Sequence, residues 1–222
     1  MDTDALLYAL LAAGIMLLVG FPVHEFCHAW AAFKLGDSTA RWQGRLTLNP
    51  QVHFDPVGGL MLLVTAVLTQ GTWFFGYAKP TPVNPMNLSG GRRGEAWVAV
   101  AGPLSNLVMA AIVAIVFRLI VANAETVLGI ATPQVWDTVL SVLFFFVSIN
   151  VSLFVFNLLP VPPLDGWAAL LGVVNPRTHF QLRSLQARYA QFIPIVFLVI
   201  IIAGGQFLGR IILPIRDLLL GY

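Results

Sequence analysis

Four long apolar segments constrain this chain more than any other feature. Each exceeds the roughly 20 residues that a helix needs to cross the hydrocarbon core of a bilayer. Charged residues are scarce, at 10% of 222 residues against about 25% in soluble proteins. We therefore expect a membrane protein, and a net charge of +2 gives no sign of a nucleic-acid partner. The segments are Ala5–Leu35, Ala96–Val121, Val135–Leu159 and Phe192–Ile215.

Two shorter apolar stretches, Val57–Gln70 and Trp167–Val174, have 14 and 8 residues. They are too short to span a bilayer, so we predict re-entrant or interfacial positions for them. With four crossings and the amino terminus outside, the regions Gly36–Glu95 and Pro160–Gln191 lie inside and carry Lys and Arg. The loop Ala122–Gln134 then lies outside with neither residue type. This distribution follows the positive-inside bias, so four crossings are favoured.

The predicted fold is an all-α polytopic membrane protein with about four to six transmembrane helices and one small β element. Residues 1–222 form a single domain, with a core over about 5–174 and a carboxy-terminal helix over about 192–215. The β element is a strand over Arg41–Asn49, where polar and apolar residues alternate with a period of two. We expect it to be a re-entrant strand or hairpin after the first helix. The region Lys79–Gly91, rich in Pro, Asn and Gly, is predicted to be irregular.

Two histidines flank a glutamate inside the first span, in the order Val23-His24-Glu25-Phe26-Cys27-His28. Residues four apart on a helix share a face, so both imidazoles can bind one zinc ion, and Glu25 can take a proton from water beside it. Counting back from Lys34, His28 and His24 lie about 9 and 15 Å below the cytoplasmic edge. Ionisable groups at that depth are costly unless they are paired or coordinated. We therefore predict a metal site.

A catalytic zinc ion needs a third protein ligand and one open position. Cys27 points about 100° away from His28 around the helix and is interpreted as a packing residue. His53 and Asp55 follow the predicted strand and are interpreted as turn-stabilising. His179 is interpreted as interfacial.

Asp165 is a more promising candidate for the third ligand. It follows the third span after three prolines that break the helix near the depth of the histidines. Spacing alone leaves two interpretations open. Asp165 either binds the metal or caps a helix that begins at Trp167.

The segments His24–His28 and Asn157–Gly166 together resemble the site-2 protease family of intramembrane zinc metalloproteases. The hallmarks of that family are HExxH in one transmembrane helix and a distant NxxPxPPLDG motif, and every specified position of the second motif is present. Gly44–Pro50, Phe75–Pro80 and Ala101–Asn106 are similar to the compact prokaryotic branch without PDZ or CBS domains. The resemblance implies that Asp165 is the third ligand of one Zn²⁺ ion.

The resemblance also implies the roles of two further residues. Glu25 would be the general base and then the proton donor to the leaving amine. Asn157 would hold the substrate carbonyl or the oxyanion near the metal. The alternative for Asn157 is an amide that satisfies backbone groups freed by Pro160 and Pro162.

The implied substrate is a transmembrane protein whose helix must unwind before its peptide bonds can be attacked. The predicted strand could pair with the unwound segment, which makes Gly44, Leu46 and Leu48 candidate substrate-binding residues. The implied location is the prokaryotic cytoplasmic membrane, with the site toward the cytoplasm and cleavage near that side. The family acts in regulated intramembrane proteolysis or signal-peptide clearance. The sequence indicates neither the substrate nor the oligomeric state.

Three other functions agree less well with the sequence. A haem-binding cytochrome would take its histidines from facing helices. A membrane metal transporter would not need Glu25, and a non-catalytic scaffold would not need the complete set of ligands and base. In the second span, Gly102 and Pro103 predict a close helix approach that Asn106 could bridge, and packing is the favoured interpretation.

Overall fold

The computed structural model describes residues 3–68, 76–193 and 205–222, and every regular element within these ranges is helical. A π turn, Met16–Gly20, joins the first two α-helices. Short 3₁₀ turns cover Pro85–Asn87, Leu128–Ile130 and Ala190–Phe192. The α-helices are α1 Thr3–Ile15, α2 Phe21–Lys34, α3 Thr39–Trp42, α4 Pro50–His53, α5 Pro56–Leu68, α6 Arg92–Ala122, α7 Ala124–Val127, α8 Pro133–Asn157, α9 Asp165–Val173, α10 Pro176–Arg188 and α11 Gly205–Leu220.

Three of the four predicted spans are confirmed as helices that are long and apolar enough to cross a membrane. They cover Leu6–Lys34, Arg92–Ala122 and Pro133–Asn157. The fourth span was predicted over 192–215, and its central residues, 194–204, lie outside the described residues. The described residues also include the apolar helix α5, which at 13 residues is too short to cross.

The π turn lies immediately before the histidine motif and has a local cause. Pro22 has no backbone N–H and its ring would collide with the preceding helical turn, so an ordinary α-helix would be disrupted here. The wider turn lets the Phe21 N–H donate to the carbonyl of Met16, and the helix continues through both residues. The first span therefore reaches His24 without ending at the proline.

Helix α6 is the central element and packs against α2, α8, α9 and α11. Ala110, Ala114 and Phe117 bury one of its faces. The opposite face exposes large apolar side chains at helical spacing, which suits contact with lipid chains rather than water. These are Val108, Ile112, Ile115 and Leu119.

The predicted strand over Arg41–Asn49 is wrong for the chain as described. Thr39–Trp42 forms the single turn α3, and the chain from there to Asn49 forms turns and bends. A strand needs a neighbour for its backbone groups, whereas here the Arg45 N–H donates locally to the carbonyl of Ala40 at 2.8 Å. The period of two therefore does not correspond to burial, since the polar Arg45 is buried whereas the apolar Trp42 and Leu48 are exposed.

Two other sequence interpretations of the loops are confirmed. The carboxylate of Asp55 accepts hydrogen bonds from the N–H groups of Val57 and Gly58, both at 2.9 Å, and so caps the start of α5. Of the region Lys79–Gly91 that was predicted to be irregular, Pro85–Asn87 forms a short 3₁₀ turn. The rest of this region up to Asn84, together with the described chain from residue 76, has no regular structure. This irregular segment passes beside the histidine motif.

Candidate metal centre

Three potential metal ligands converge between α2 and α9. The Nε2 atoms of His24 and His28, one turn apart on α2, lie 3.1 Å from each other. The Oδ2 atom of Asp165 lies 3.3 Å from each of them. Both histidines are buried, and the carboxylate is half-buried. Two imidazoles and one carboxylate within 4.8 Å of one another form a group that could hold one metal ion.

Asp165 reaches the histidines because the chain turns sharply after α8. Asp165 is the first residue of α9, and Leu164 occupies the cap position, so the aspartate does not cap a helix beginning at Trp167. A Cβ atom on Gly166 would lie 2.5 Å from the carbonyl oxygen of Leu159. Only glycine therefore lets α9 begin this close to the end of α8.

The outer nitrogens of both histidines are held by α6. The Nδ1 atom of His28 lies 2.7 Å from the carbonyl oxygen of Val98, and Nδ1 of His24 lies 3.1 Å from Oδ1 of Asn106. Both partners are acceptors, so in each neutral ring the proton is on Nδ1 and the lone pair is on Nε2. Two lone pairs and a carboxylate then face one another. These electron-rich groups repel one another unless a cation lies between them. Two imidazoles and one carboxylate form a donor set that suits zinc.

Protons can take the place of the cation in this cluster. Burial by itself would raise the pKa of the Asp165 carboxyl. When the rings also carry a proton on Nε2, the charge of His28 and hydrogen bonds from both histidines outweigh burial and hold that pKa well below the ordinary range. A metal ion must displace these protons, because its ligands bind in the deprotonated form.

Glu25 projects beside the cluster into a cavity of about 200 Å³. Its Oε2 atom accepts a hydrogen bond from the N–H of Thr81 at 2.8 Å, and the Thr81 hydroxyl donates to the backbone carbonyl of Glu25 at 3.0 Å. The irregular segment is thereby fixed to α2 at the catalytic motif. The cavity is lined by Glu25, His28, Pro80, Thr81, Val83, Pro85, Glu95, Val98, Ala99, Asp165 and Ala168.

Other residues singled out in the sequence belong neither to the ligand group nor to the lining of the cavity. Asn157 is the half-buried last residue of α8 and does not line the cavity. Gly44, Leu46 and Leu48 do not line it either, and Leu48 is exposed. Cys27 is half-buried beside Ser105 and outside the ligand group, as its direction on the helix predicted.

Thr81 and Val98 were not among the functional candidates predicted from the sequence. Thr81 contacts Glu25 through its backbone N–H, and Val98 contacts His28 through its carbonyl. Backbone groups of this kind leave no residue-type signal. The nearest stretches that resemble the family are Phe75–Pro80, which ends one residue before Thr81, and Ala101–Asn106, which begins three residues after Val98.

Comparison with known proteins agrees with this geometry. Three relatives are each named "Putative zinc metalloprotease": YwhC from Bacillus subtilis, Rip2 from Mycolicibacterium smegmatis and Rip2 from Mycobacterium tuberculosis. Their identities to this chain are 37%, 33% and 30%, over 93%, 82% and 86% of it and over 88%, 64% and 68% of their own lengths. No solved structure matches with comparable support. Peptidase family M50 matches residues 12–201. The chain therefore belongs to peptidase family M50, the site-2 proteases, and is an intramembrane zinc metalloprotease.

Proposed function

We propose that His24, His28 and Asp165 bind one zinc ion and that Glu25 is the general base of peptide-bond hydrolysis within or near transmembrane segments. The observation that carries this proposal is the convergence of the three ligand atoms, with Glu25 in the adjoining cavity. A zinc ion in this position supplies Lewis-acid chemistry, polarising the scissile carbonyl and making water more acidic.

The chain's own groups manage the proton in this reaction. Glu25 takes the proton from the attacking water and later gives it to the leaving amine. The Thr81 N–H holds one carboxylate oxygen of Glu25, which leaves the other oxygen to face the reacting groups. This contact fixes the direction of proton transfer.

The proposed role of Asn157 is to stabilise the negative charge that develops on the substrate carbonyl oxygen. It is the last residue of α8, and its side chain is half-buried. The proline-broken turn follows it and reaches Leu164 seven residues later. The side-chain N–H of Asn157 could donate to the substrate carbonyl and more strongly to the oxyanion. Because Asn157 does not line the cavity of the free chain, this role requires the substrate to extend toward α8.

We also propose that the substrate is a membrane protein bound in extended form. A helical substrate screens its carbonyls, so its segment must unwind before cleavage. Gly44, Leu46 and Leu48 lie in non-helical chain with an exposed flank, and they are proposed to pair with that segment once it is bound. If this is correct, Leu46→Pro and Leu48→Pro should slow cleavage of a membrane substrate, and unchanged rates would refute it.

The proposed location is the cell membrane, with the catalytic centre toward the cytoplasm. His28 lies six residues before Lys34, the basic end of the first span. At 1.5 Å per residue this places the histidine about 9 Å below the surface. We therefore expect product termini in the cytoplasmic part of the substrate's span, and termini in its external third would contradict this orientation.

The test is co-expression with candidate membrane substrates, with product masses as the measurement. Glu25→Gln should lower cleavage by at least about 100-fold, because general base catalysis is lost, while zinc content stays unchanged. Asp165→Asn should lower both cleavage and zinc content. The matched control is Glu125→Gln, at an exposed position in α7.

The same variants separate hydrolysis from metal transport. A transporter would keep its metal flux in Glu25→Gln, whereas a protease loses its products. Full cleavage by Glu25→Gln would overturn the proposed mechanism.

A further inference from the structure

Asn106 is a fully buried polar side chain near the middle of the membrane-spanning helix α6. Its Oδ1 atom lies 3.1 Å from Nδ1 of His24. Its Nδ2 atom has no hydrogen-bond partner among the described residues. A buried amide with one unsatisfied group is unfavourable, and an apolar residue would avoid that penalty. The contact with His24 is therefore the feature that accounts for an asparagine at this position.

The two histidines are supported in different ways from the same helix. His28 donates to a backbone carbonyl, that of Val98, which any residue type would supply. His24 donates to a side chain, so its support depends on residue 106. An acceptor at this place selects the tautomer with the proton on Nδ1, and it prevents rotation of the ring. The Nε2 lone pair of His24 is thereby directed toward Nε2 of His28 and the carboxylate of Asp165.

We propose that Asn106 is a positioning residue that fixes the ring and tautomer of His24 for zinc binding. The inference rests on the proposed zinc site and goes beyond it, because Asn106 touches neither the metal nor the substrate. Partners of this kind alter metal affinity by about 10- to 100-fold in other proteins. The effect should therefore appear in zinc retention itself as well as in the rate of proteolysis.

A matched control is present in the neighbouring helix. Asn150 on α8 is also fully buried, and its Oδ1 atom also lacks a partner among the described residues. Its Nδ2 atom donates to the carbonyl of Phe146 at 2.9 Å and contacts the sulfur of Met16 at 3.1 Å. Asn150→Leu therefore removes a buried amide of the same kind without touching a histidine.

The experiment measures zinc retained by the purified full-length protein against graded chelator, for wild type, Asn106→Leu, Asn106→Asp and Asn150→Leu. We expect Asn106→Leu to bind zinc about 10- to 100-fold more weakly. We expect Asn106→Asp to bind it at least as tightly as wild type, because a carboxylate also accepts from Nδ1–H. Asn150→Leu should stay within about twofold of wild type. The ligand-field spectrum of the cobalt-substituted protein should change in Asn106→Leu and not in the control.

Equal zinc affinity in Asn106→Leu and wild type would overturn the inference, as would an equal loss in Asn150→Leu. If Asn106→Leu does not fold, nitrogen-15 NMR of the histidine-labelled wild type decides the question. His24 should carry its proton on Nδ1, and a proton on Nε2 would refute the assignment. Absence of zinc binding by wild type would instead refute the proposed function, so the two failures are distinguishable.

Discussion

At Gly102 the absence of a side chain makes room for the candidate metal ligands. This residue of α6 is buried, and a Cβ atom there would lie 2.7 Å from Nε2 of His24 and closer still to Nε2 of His28. From the sequence, Gly102 was interpreted as a packing residue that lets two helices approach. The approach is confirmed, but what packs against the glycine is the pair of imidazole rings. Sequence spacing predicts a close contact and cannot say which side chains fill it.

Gly102→Ala should therefore disturb the metal site more than the fold. The added methyl group must displace one or both rings, so we expect zinc retention and proteolysis to fall by at least about tenfold. Zinc content of the purified protein, with thermal unfolding measured alongside, checks this.

Gly14→Ala in α1 is the control, because no atom lies within 4 Å of a Cβ atom at that glycine. Normal zinc content in Gly102→Ala would show that the rings have more room than the structure gives them.

At the scale of elements, the irregular segment from residue 76 to Asn84 is fixed to the helices by side chains rather than by a sheet. The guanidinium of Arg45 is buried and donates to the carbonyls of Lys79 and Pro80. Further along, the carboxylate of Asp37 accepts from the N–H of Asn84 at 2.7 Å. Between these two attachments lies Thr81, which holds Glu25. The geometry of Glu25, the proposed general base, should therefore depend on two charged residues outside the HExxH motif.

Arg45→Met should slow proteolysis by about tenfold while zinc content stays normal, since a base misplaced by a fraction of an ångström loses rate without losing the metal. Burial lowers the pKa of Arg45, and the charge of Glu25 opposes that shift. The measurement is the cleavage rate at saturating zinc.

Arg41→Met is the control in the same loop, because the exposed Arg41 lies over the ring of Phe33, 5.2 Å from its centroid, and away from Glu25. An equal loss of rate in both variants would show that the loop tolerates no change of charge.

Asp37 should make the fold sensitive to acid. Burial by itself would raise its pKa, but hydrogen bonds from Thr39, Asn84 and Asn87 outweigh burial and lower it. The stabilisation is therefore complete above the ordinary aspartate pKa of about 3.9 and is lost as the pH falls through the lower pKa of the folded state.

Asp37→Asn should unfold several degrees below wild type at pH 7 and show a flatter acid profile, because an amide nitrogen would face the N–H of Asn84. Melting curves of the detergent-solubilised protein from pH 7 to pH 3 measure this. Parallel curves for the two proteins would contradict it.

At the scale of the whole molecule, the long central helix α6 contributes both to the candidate metal site and to the surface that faces lipid. Helix α6 packs against α2, which carries the histidines, and against α9, which carries Asp165. It also presents an exposed apolar face suited to lipid. Because one helix supports both ligand-bearing elements, the metal site and the membrane core cannot be separated into independent units.

The four-crossing topology predicts which loops face the cytoplasm. In a Cys27→Ser background, which removes the single native cysteine, Thr126→Cys should react with an impermeant maleimide in intact cells. Ser184→Cys in α10 should react only after the cells are permeabilised. Both positions are exposed. Labelling of both from outside would mean an even number of crossings between them and would contradict the four-crossing topology.

Local patterns determined much of this protein. The apolar segments predicted the three confirmed spans, because crossing a bilayer needs an uninterrupted run of apolar residues whatever surrounds it. The i, i+4 spacing placed His24 and His28 on one face, since helix geometry is itself local. Asp55 was correctly interpreted as a turn residue for the same reason.

Tertiary structure alone decided the features that depend on distant segments. Residues 41–49 alternate like a strand, yet the part of the chain that the structure describes contains no strand, and Arg45 is instead buried against the carbonyls of Lys79 and Pro80. Spacing left the role of Asp165 open, because 137 positions separate it from His28 and only the packing of α9 on α6 brings them together. Contacts such as Asn106 with His24 and Thr81 with Glu25 likewise join residues far apart in the chain. Periodicity carries no information about pairs of this kind, since their distance is set by how whole helices pack.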